Sequence, residues 1–197
     1  MTFFFVEVTG KISESIHPED AGLGITGNKM NTNNDSRNTA GEPMPPAGAE
    51  LNAHNKDEYP PAHTAEHLLN QTMMRMFGAP RSRNMHIERK KSKINFQLPQ
   101  CPTPEQVADI EKRMKELISM DLPVTFEFVT RDNIPSGVAL DKLPDNASET
   151  IRLVRIGDYD VCPCIGQHVA RTSQIEGFRI TSTSYSDGSF RIVFKVG

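Results

Sequence analysis

The chain has 197 residues, with 25 acidic against 22 basic side chains and a formal charge of −3. This length suits one domain, alone or with an appendage, and is ample for a hydrophobic core. No apolar run approaches the roughly 18 residues of a membrane span, and the first residues lack a basic leader, so we expect a cytoplasmic protein without a membrane partner. Three cysteines, an odd number, are not typical of a disulfide scaffold.

The charge is distributed unevenly along the chain. Residues 1–60 hold nine acidic and four basic side chains, whereas residues 61–197 hold 16 and 18. The overall acidity therefore does not exclude a nucleic-acid partner, because phosphate binding depends on a local basic surface. Residues 1–59 are rich in Gly, Asn, Thr and Pro, and only residues 3–8 have the composition of a strand. We expect an irregular N-terminal arm over 1–59 and one ordered domain over 60–197.

The ordered part contains two predicted helices and several predicted strands. Residues 63–77 place apolar side chains on one helical stripe that stops at Gly78, and Thr103 with Gln106 forms the capping box of a second helix. The predicted strands cover residues 85–88, 94–98, 124–128 and 151–156, followed by a hairpin of 178–185 and 190–196. This order predicts an α+β fold, a two-layer sandwich in which helices cover one face of an antiparallel sheet.

The first group of chemically active residues lies in the sequence PAHTAEHLLN. His63 and His67 are four residues apart on the predicted helix, so both imidazoles project from one side and can share a metal ion. Two histidines at this spacing also occur by chance. Glu66 lies beside His67, where the simplest role is a surface carboxylate near the positive end of the helix dipole.

The second group lies in the sequence CPCIGQHV. Cys164 and His168 bracket a short Ile-Gly-Gln turn, which lets a thiolate and an imidazole approach one point. Cys162 is a second candidate thiolate, but strand alternation is expected to place it apart from Cys164 or at the rim, and either cysteine can be a small buried apolar residue. Together the two groups supply three imidazoles and a thiolate, donors that suit tetrahedral zinc.

These residues resemble the editing domain shared by alanyl- and threonyl-tRNA synthetases and by free-standing alanyl-tRNA editing proteins. That family has an H-x-x-x-H pattern at a helix start and, about a hundred residues later, a C-x-x-x-H pattern. His63/His67 and Cys164/His168 fit it, as do the flanking sequences HTAEHLLN, IRLVRIGDYDV and HVARTSQIEGFRI. The family's usual C-G-G-T-H is C-I-G-Q-H in this chain.

The resemblance implies that residues 60–197 bind Zn²⁺ through His63, His67, Cys164 and His168. It also implies that the chain hydrolyses, in trans, the ester of a wrongly aminoacylated tRNA of the alanine type, carrying serine or glycine. Such an ester is already activated, so hydrolysis mainly requires a positioned water and charge stabilisation. Glu66, next to these ligands, is the candidate that orients or deprotonates the water.

A run of basic residues follows the first predicted helix. Between residues 75 and 93 the only acidic residue is Glu88, and basic side chains at this density can neutralise phosphates near the acceptor end of tRNA. The candidate RNA-binding residues are Arg81, Arg83, Arg89, Lys90, Lys91 and Lys93. The alternative interpretation is the solvated exterior of a β-hairpin.

Two other functions remain open. HTAEHL also resembles the metal-binding helix of S-ribosylhomocysteinase, which would explain Glu66 but neither His168 nor the segment HVARTSQIEGF. Alternatively, the chain is a non-catalytic, zinc-stabilised module that binds tRNA or a protein, because four protein ligands close a tetrahedral shell as in structural zinc sites. Turnover of mischarged tRNA separates the enzyme from the module.

Overall fold

The computed structural model describes residues 46–49, 59–136, 138 and 149–197. The strand expected at residues 3–8 lies outside these residues, and the division at residue 59 stays a prediction. The elements of the described part are α1 (Pro60–Phe77), β1 (Asn84–His86), β2 (Ser92–Gln97), α2 (Pro104–Ser119), β3 (Val124–Thr130), β4 (Thr150–Ile156), β5 (Asp160–Pro163), β6 (Arg179–Ser186) and β7 (Ser189–Lys195). Neither of these helices is both long and apolar enough to cross a membrane.

The α+β class is confirmed, with two antiparallel sheets where one was expected. The four-stranded sheet has the order β1-β2-β7-β6, and the three-stranded sheet has the order β3-β4-β5. Strand β5 was not delimited by the sequence pattern, because it has four residues and ends at Pro163. Its pairing with β4 nevertheless decides where the residues before Cys164 point.

Most of helix α1 is buried within the domain. It begins at Pro60, three residues earlier than predicted, because proline suits the first helical position. It ends at Gly78, whose φ of 65° is the left-handed conformation that commonly closes a helix. Residues 62–70 are all buried, and the helix contacts α2, β2 and β5. Its polar side chains are therefore held in the interior.

The second helix and the C-terminal hairpin close the core. The predicted capping box is confirmed: the Thr103 hydroxyl accepts the Gln106 N–H, and the Gln106 side chain accepts the Thr103 N–H. The β6–β7 hairpin turns at Asp187 and Gly188, both with positive φ, as a two-residue type I′ turn requires. The buried side chains of the four-stranded sheet are Ile94, Phe96, Phe190, Ile192 and Phe194.

Candidate metal centre

The structure brings His63, His67, Cys164 and His168 to one point. Helix α1 carries the first two on successive turns, and the loop after β5 carries the other two. The ligand atoms of the four side chains all lie within 4.8 Å of one another. Cys164 Sγ is 3.4 Å from Nε2 of His63 and 3.4 Å from Nε2 of His168.

These distances fit the donor spacing of a zinc ion. Bond lengths of about 2.0–2.3 Å place neighbouring nitrogen and sulfur donors of a tetrahedral site roughly 3.5 Å apart. The rings of His63 and His168 are stacked with their centroids 4.2 Å apart, and His67 stands edge-on to both rings. The composition and the spacing of this set therefore suit Zn²⁺.

Hydrogen bonds at Nδ1, the ring nitrogen that points away from Cys164, orient two of the three imidazoles. His63 Nδ1 lies 3.1 Å from the carbonyl oxygen of Gln167, and His168 Nδ1 lies 3.1 Å from Thr64 Oγ1. Because the Thr64 hydroxyl donates to the carbonyl of Pro60 at 3.0 Å, its oxygen accepts from His168. A proton held on Nδ1 leaves the lone pair on Nε2, which is the atom that faces Cys164.

The third imidazole is held by a buried ion pair. His67 Nδ1 lies 3.3 Å from Asp160 Oδ2, and the other oxygen of Asp160 binds the guanidinium of Arg81. Burial opposes a charged imidazole, but the interactions with Cys162 and Asp160 outweigh it and raise the pKa of His67 well above its usual value. Burial likewise opposes the Asp160 carboxylate, yet His67 and Arg81 hold the pKa of Asp160 below its ordinary value.

Cys162 lies closer to the centre than the sequence led us to expect. It is buried, and its Sγ is 3.4 Å from Nδ1 and 4.0 Å from Nε2 of His67. The sulfur therefore lies within 4.0 Å of both ring nitrogens of His67 and is nearer to Nδ1, the nitrogen that also contacts Asp160. Both residues of β5 that face α1, at positions 160 and 162, contact the same histidine.

The protonation states of Cys164 and His168 suit metal binding. Burial opposes ionisation of Cys164, but hydrogen bonds from His168, His63 and His67 hold the pKa of its thiol well below the usual value. Burial and repulsion from His67 lower the pKa of His168 to about 3, so this imidazole is neutral at physiological pH. A thiolate and a neutral imidazole are the forms that bind metal ions.

The loop from Cys164 to His168 is anchored by Arg152. This arginine lies in the apolar strand β4, and its Nη1 donates to the carbonyls of Cys164 at 2.9 Å and Gly166 at 3.0 Å. Its guanidinium stacks on the ring of Phe126, 3.9 Å from the centroid. The role of Arg152 was not predicted from the sequence, although an arginine inside the apolar run IRLVRI was the available signal.

Glu66 is buried beside the cluster. Its side chain is 1% exposed, so it is not the surface carboxylate of the simplest interpretation. The side-chain amide of Asn70 donates to Glu66 Oε1, and Asn70 Oδ1 accepts the backbone N–H of Ser82 at 2.8 Å. Glu66 Oε2 lies 3.7 Å from His67 Nε2, on the side of the ring that faces the cluster.

The basic turn between β1 and β2 reaches the start of α1. The guanidinium of Arg89 lies over the ring of Tyr59, 5.2 Å from its centroid. The carbonyl of Tyr59 accepts the backbone N–H of His63 at 3.0 Å, so this turn contacts the residue that caps the start of α1. The exposed candidates for RNA binding are Arg83, Arg89, Lys90 and Lys91, and Lys93 is half-buried.

Arg81 is placed differently from the other candidate RNA-binding residues. Its side chain is 6% exposed, and its guanidinium is bound to Asp160 in the interior. A phosphate could not reach this guanidinium without breaking the buried ion pair. We therefore assign Arg81 to the support of His67 and leave it out of the RNA-binding proposal.

Comparisons with known proteins agree with the geometry. The family model described as threonyl and alanyl tRNA synthetase second additional domain matches residues 151–193. Alanine–tRNA ligases are 27% identical over 135 residues in Idiomarina loihiensis and 32% identical over 139 residues in Halorubrum lacusprofundi, covering 68% of this chain in each case. The alanine–tRNA ligase of Treponema denticola is 26% identical over 130 residues, 66% of this chain.

The chain corresponds to a small part of these relatives. The matched stretches cover 16%, 15% and 22% of the three ligases, respectively. The family model begins at residue 151, in β4, so it includes Cys164 and His168 but not His63 and His67. These matches confirm the resemblance to the second additional domain of threonyl and alanyl tRNA synthetases.

Proposed function

We propose that this chain is a zinc-dependent aminoacyl-tRNA deacylase that acts in trans on tRNA mischarged with serine or glycine. The observation that carries the proposal is the convergence of three imidazoles and a thiolate next to a buried carboxylate, Glu66. The similarity to alanine–tRNA ligases supports a charged tRNA of the alanine type as substrate. A cytoplasmic location is part of this proposal, because the substrate is a charged tRNA.

The hydrolysis follows from the position of Glu66. Zinc held by His63, His67, Cys164 and His168 would supply Lewis-acid stabilisation of the charge that develops on the ester. Glu66 Oε2, on the side of His67 that faces the cluster, takes a proton from water as the water oxygen bonds to the ester carbonyl carbon. The bond from that carbon to the ribose oxygen then breaks. The ribose oxygen receives the proton from Glu66, which yields a free amino acid and deacylated tRNA.

Deacylation of a defined panel of charged tRNAs tests the activity. The zinc-loaded chain is incubated with seryl-, glycyl- and alanyl-tRNA, with and without a chelator. We expect loss of the seryl or glycyl ester and retention of the alanyl ester, with activity abolished by the chelator and restored by added zinc. Absence of turnover of every charged tRNA by zinc-loaded protein would refute the proposal.

Substitution of Glu66 tests the mechanism separately from metal binding. Glu66→Gln keeps the size of the side chain, so we expect zinc to stay bound while hydrolysis slows by about 100-fold or more, the contribution of a general base. Glu116→Gln, on the exposed surface of α2, is the matched control and should leave the rate unchanged. Unchanged turnover in Glu66→Gln would remove this residue from the mechanism. Alanine at His67 or Cys164 should remove metal and activity together.

The basic turn provides the proposed first contact with tRNA, together with Arg83 and Lys93. Arg89, Lys90 and Lys91 lie next to the start of α1, where a phosphate near the acceptor end would come close to the candidate metal centre. Replacing the three with glutamine should weaken tRNA binding and flatten its salt dependence, because fewer counterions are released. An unchanged salt slope would assign this turn to a structural role.

A non-catalytic, zinc-stabilised module is the second candidate function. Two observations favour it: four protein donors leave no open position in a tetrahedral shell, and Ile165 stands 36% exposed between Cys164 and His168. Such a module binds tRNA without hydrolysing the aminoacyl ester. The deacylation panel therefore decides between the two functions.

A further inference from the structure

We propose that the outer face of the four-stranded sheet is a second contact surface for the RNA backbone. The basic sheet face, as we name it, consists of Lys93 on β2, Arg179 on β6, and Arg191 and Lys195 on β7. This inference rests on the proposed tRNA substrate. It adds the C-terminal hairpin to the binding surface, a segment that the sequence analysis did not connect with RNA.

Strand register places these side chains on the same face of the sheet. Lys93 lies opposite Val193, and Arg179 lies opposite Lys195. Phe190, Ile192 and Phe194 point into the core, so the alternate residues of β7 point outward. Residues that lie directly opposite in an antiparallel pair share a face. The basic side chains of three strands therefore form one surface.

The strands that form this face contain no acidic residue. Their sequences are NMH, SKINFQ, RITSTSYS and SFRIVFK. Among the residues that the structure describes, no ion pair is found for Lys93, Arg179 or Lys195. The neutral residues between them, such as Asn95 and Ser184, are hydrogen-bonding side chains that also suit phosphate oxygens.

One cross-strand pair of like charges destabilises the folded sheet when no partner is bound. Arg179 and Lys195 are direct neighbours across β6 and β7, and like charges directly opposite each other destabilise a sheet. No carboxylate within the strands offsets this repulsion. An anionic partner that binds between the two side chains explains why both are present.

The basic sheet face is continuous with the basic turn. Ser92 lies opposite Phe194, so the chain before Ser92 leaves the sheet at the end where Lys195 and Arg179 lie. Arg89 in that turn contacts Tyr59 at the start of α1. Positive charge therefore extends from the start of α1, around the end of β2, onto the outer face of the sheet.

The surface composition favours a nucleic-acid backbone over a protein partner. Protein interfaces are enriched in aromatic side chains at their centre. The outward residues of β2 and β7 are Lys93, Asn95, Gln97, Ser189, Arg191, Val193 and Lys195, which include no aromatic ring. A polar, cationic sheet face binds phosphates through charge neutralisation and not through buried apolar anchors.

Two matched double substitutions test the inference with uncharged tRNA. Arg179→Gln/Lys195→Gln removes two charges from the basic sheet face, and Lys112→Gln/Lys115→Gln removes two from the exposed side of α2. The dissociation constant is measured by fluorescence anisotropy at several salt concentrations, with zinc content and thermal melting checked for each variant. We expect the sheet variant to bind at least about fivefold more weakly and to lose roughly one to two units of salt slope, while the control changes less than about twofold.

The outcomes separate this inference from the proposed function. A sheet variant that matches the control in affinity and salt slope would overturn the inference, even where the wild-type chain deacylates mischarged tRNA. A wild-type chain that binds tRNA through this face but clears no ester would support the inference and refute the proposed function. Binding of poly-glutamate as tight as that of tRNA, and equally lost in the sheet variant, would overturn the assignment to RNA.

Discussion

At the residue scale, the candidate metal centre depends on the groups behind the histidines as much as on the ligands. The three Nδ1 atoms contact three different kinds of acceptor: the backbone carbonyl of Gln167, the hydroxyl of Thr64 and the carboxylate of Asp160. Only the last two can be changed by substitution. Such outer partners fix the orientation and the tautomer of the histidine ring. Replacing Thr64 or Asp160 therefore has an effect that can be predicted separately.

Replacing Thr64 should weaken zinc binding without removing a ligand. Thr64→Val keeps the shape of the side chain but leaves His168 Nδ1 without its acceptor, so we expect zinc affinity to fall by about 10- to 100-fold. Affinity is measured by competition with a chromophoric chelator. Thr64→Ser retains the hydroxyl and should restore most of the affinity, which a purely structural effect of the substitution would not predict.

A second buried threonine of α1 provides the control for this prediction. The Thr72 hydroxyl donates to the carbonyl of Leu68 and lies 3.0 Å from the hydroxyl of Tyr159, away from the ligands. Thr72→Val should lower stability while leaving zinc affinity unchanged. Equal losses of affinity in Thr64→Val and Thr72→Val would contradict the role of Thr64 as the acceptor for His168.

The Arg81–Asp160 pair makes a prediction about stability. Both side chains are buried, at 6% and 1% exposure, so Asp160→Asn leaves a guanidinium without its counter-charge in the interior. We expect the free energy of unfolding to fall by about 3–5 kcal/mol, measured by urea denaturation. The double variant Arg81→Met/Asp160→Asn should recover much of this loss, because it buries no unpaired charge.

An exposed arginine–aspartate pair in the same chain provides the comparison. Arg171 and Asp121 are 51% and 43% exposed and lie 2.6 Å apart at the closest atoms. Asp121→Asn should cost no more than about 1 kcal/mol, as is usual for surface ion pairs. If Asp121→Asn and Asp160→Asn lowered the free energy of unfolding by similar amounts, burial would not determine the strength of the Arg81–Asp160 pair.

At the element scale, strand β4 supports the loop that carries two of the four candidate ligands. Arg152 points from β4 to the loop after β5 and binds its carbonyls, whereas Arg155, three residues later, pairs with Glu127 at the surface. Arg152→Met should speed release of zinc to a chelator, because the loop then loses two hydrogen bonds to a charged donor. Arg155→Met is the control and should release zinc at the wild-type rate. The release rate is measured by stopped-flow mixing with the chelator.

The same elements show what local sequence patterns can predict. The capping box at Thr103, the stop at Gly78 and the turn at Asp187 are determined by neighbouring residues, and the structure has all three. The burial of α1 on all sides and the split into two sheets depend on contacts between distant segments. Periodicity in one segment carries no information about such contacts, so these features were not predicted.

At the scale of the whole molecule, the candidate centre joins segments that lie far apart in the chain. His63 and Cys164 are separated by 101 positions. The four donors were predicted because residue types and spacing are visible in each segment. Asp160 and Arg152 were missed because their roles arise only when β4 pairs with β5 and the pair packs near α1. A sequence therefore reveals the ligands of such a site more readily than the groups that orient them.

A metal that joins two distant segments should stabilise the whole domain. Because zinc binds only the folded arrangement of the four donors, a zinc concentration 100 times the dissociation constant adds about 2.7 kcal/mol to the free energy of unfolding. We expect the chelated wild-type chain to melt at a lower temperature than the zinc-loaded chain, and His67→Ala to show no such difference. Magnesium, which prefers oxygen ligands, should not replace zinc in the chelated protein. Identical melting of chelated and zinc-loaded wild-type protein would show that the cluster of His63, His67, Cys164 and His168 does not bind the ion in the folded state.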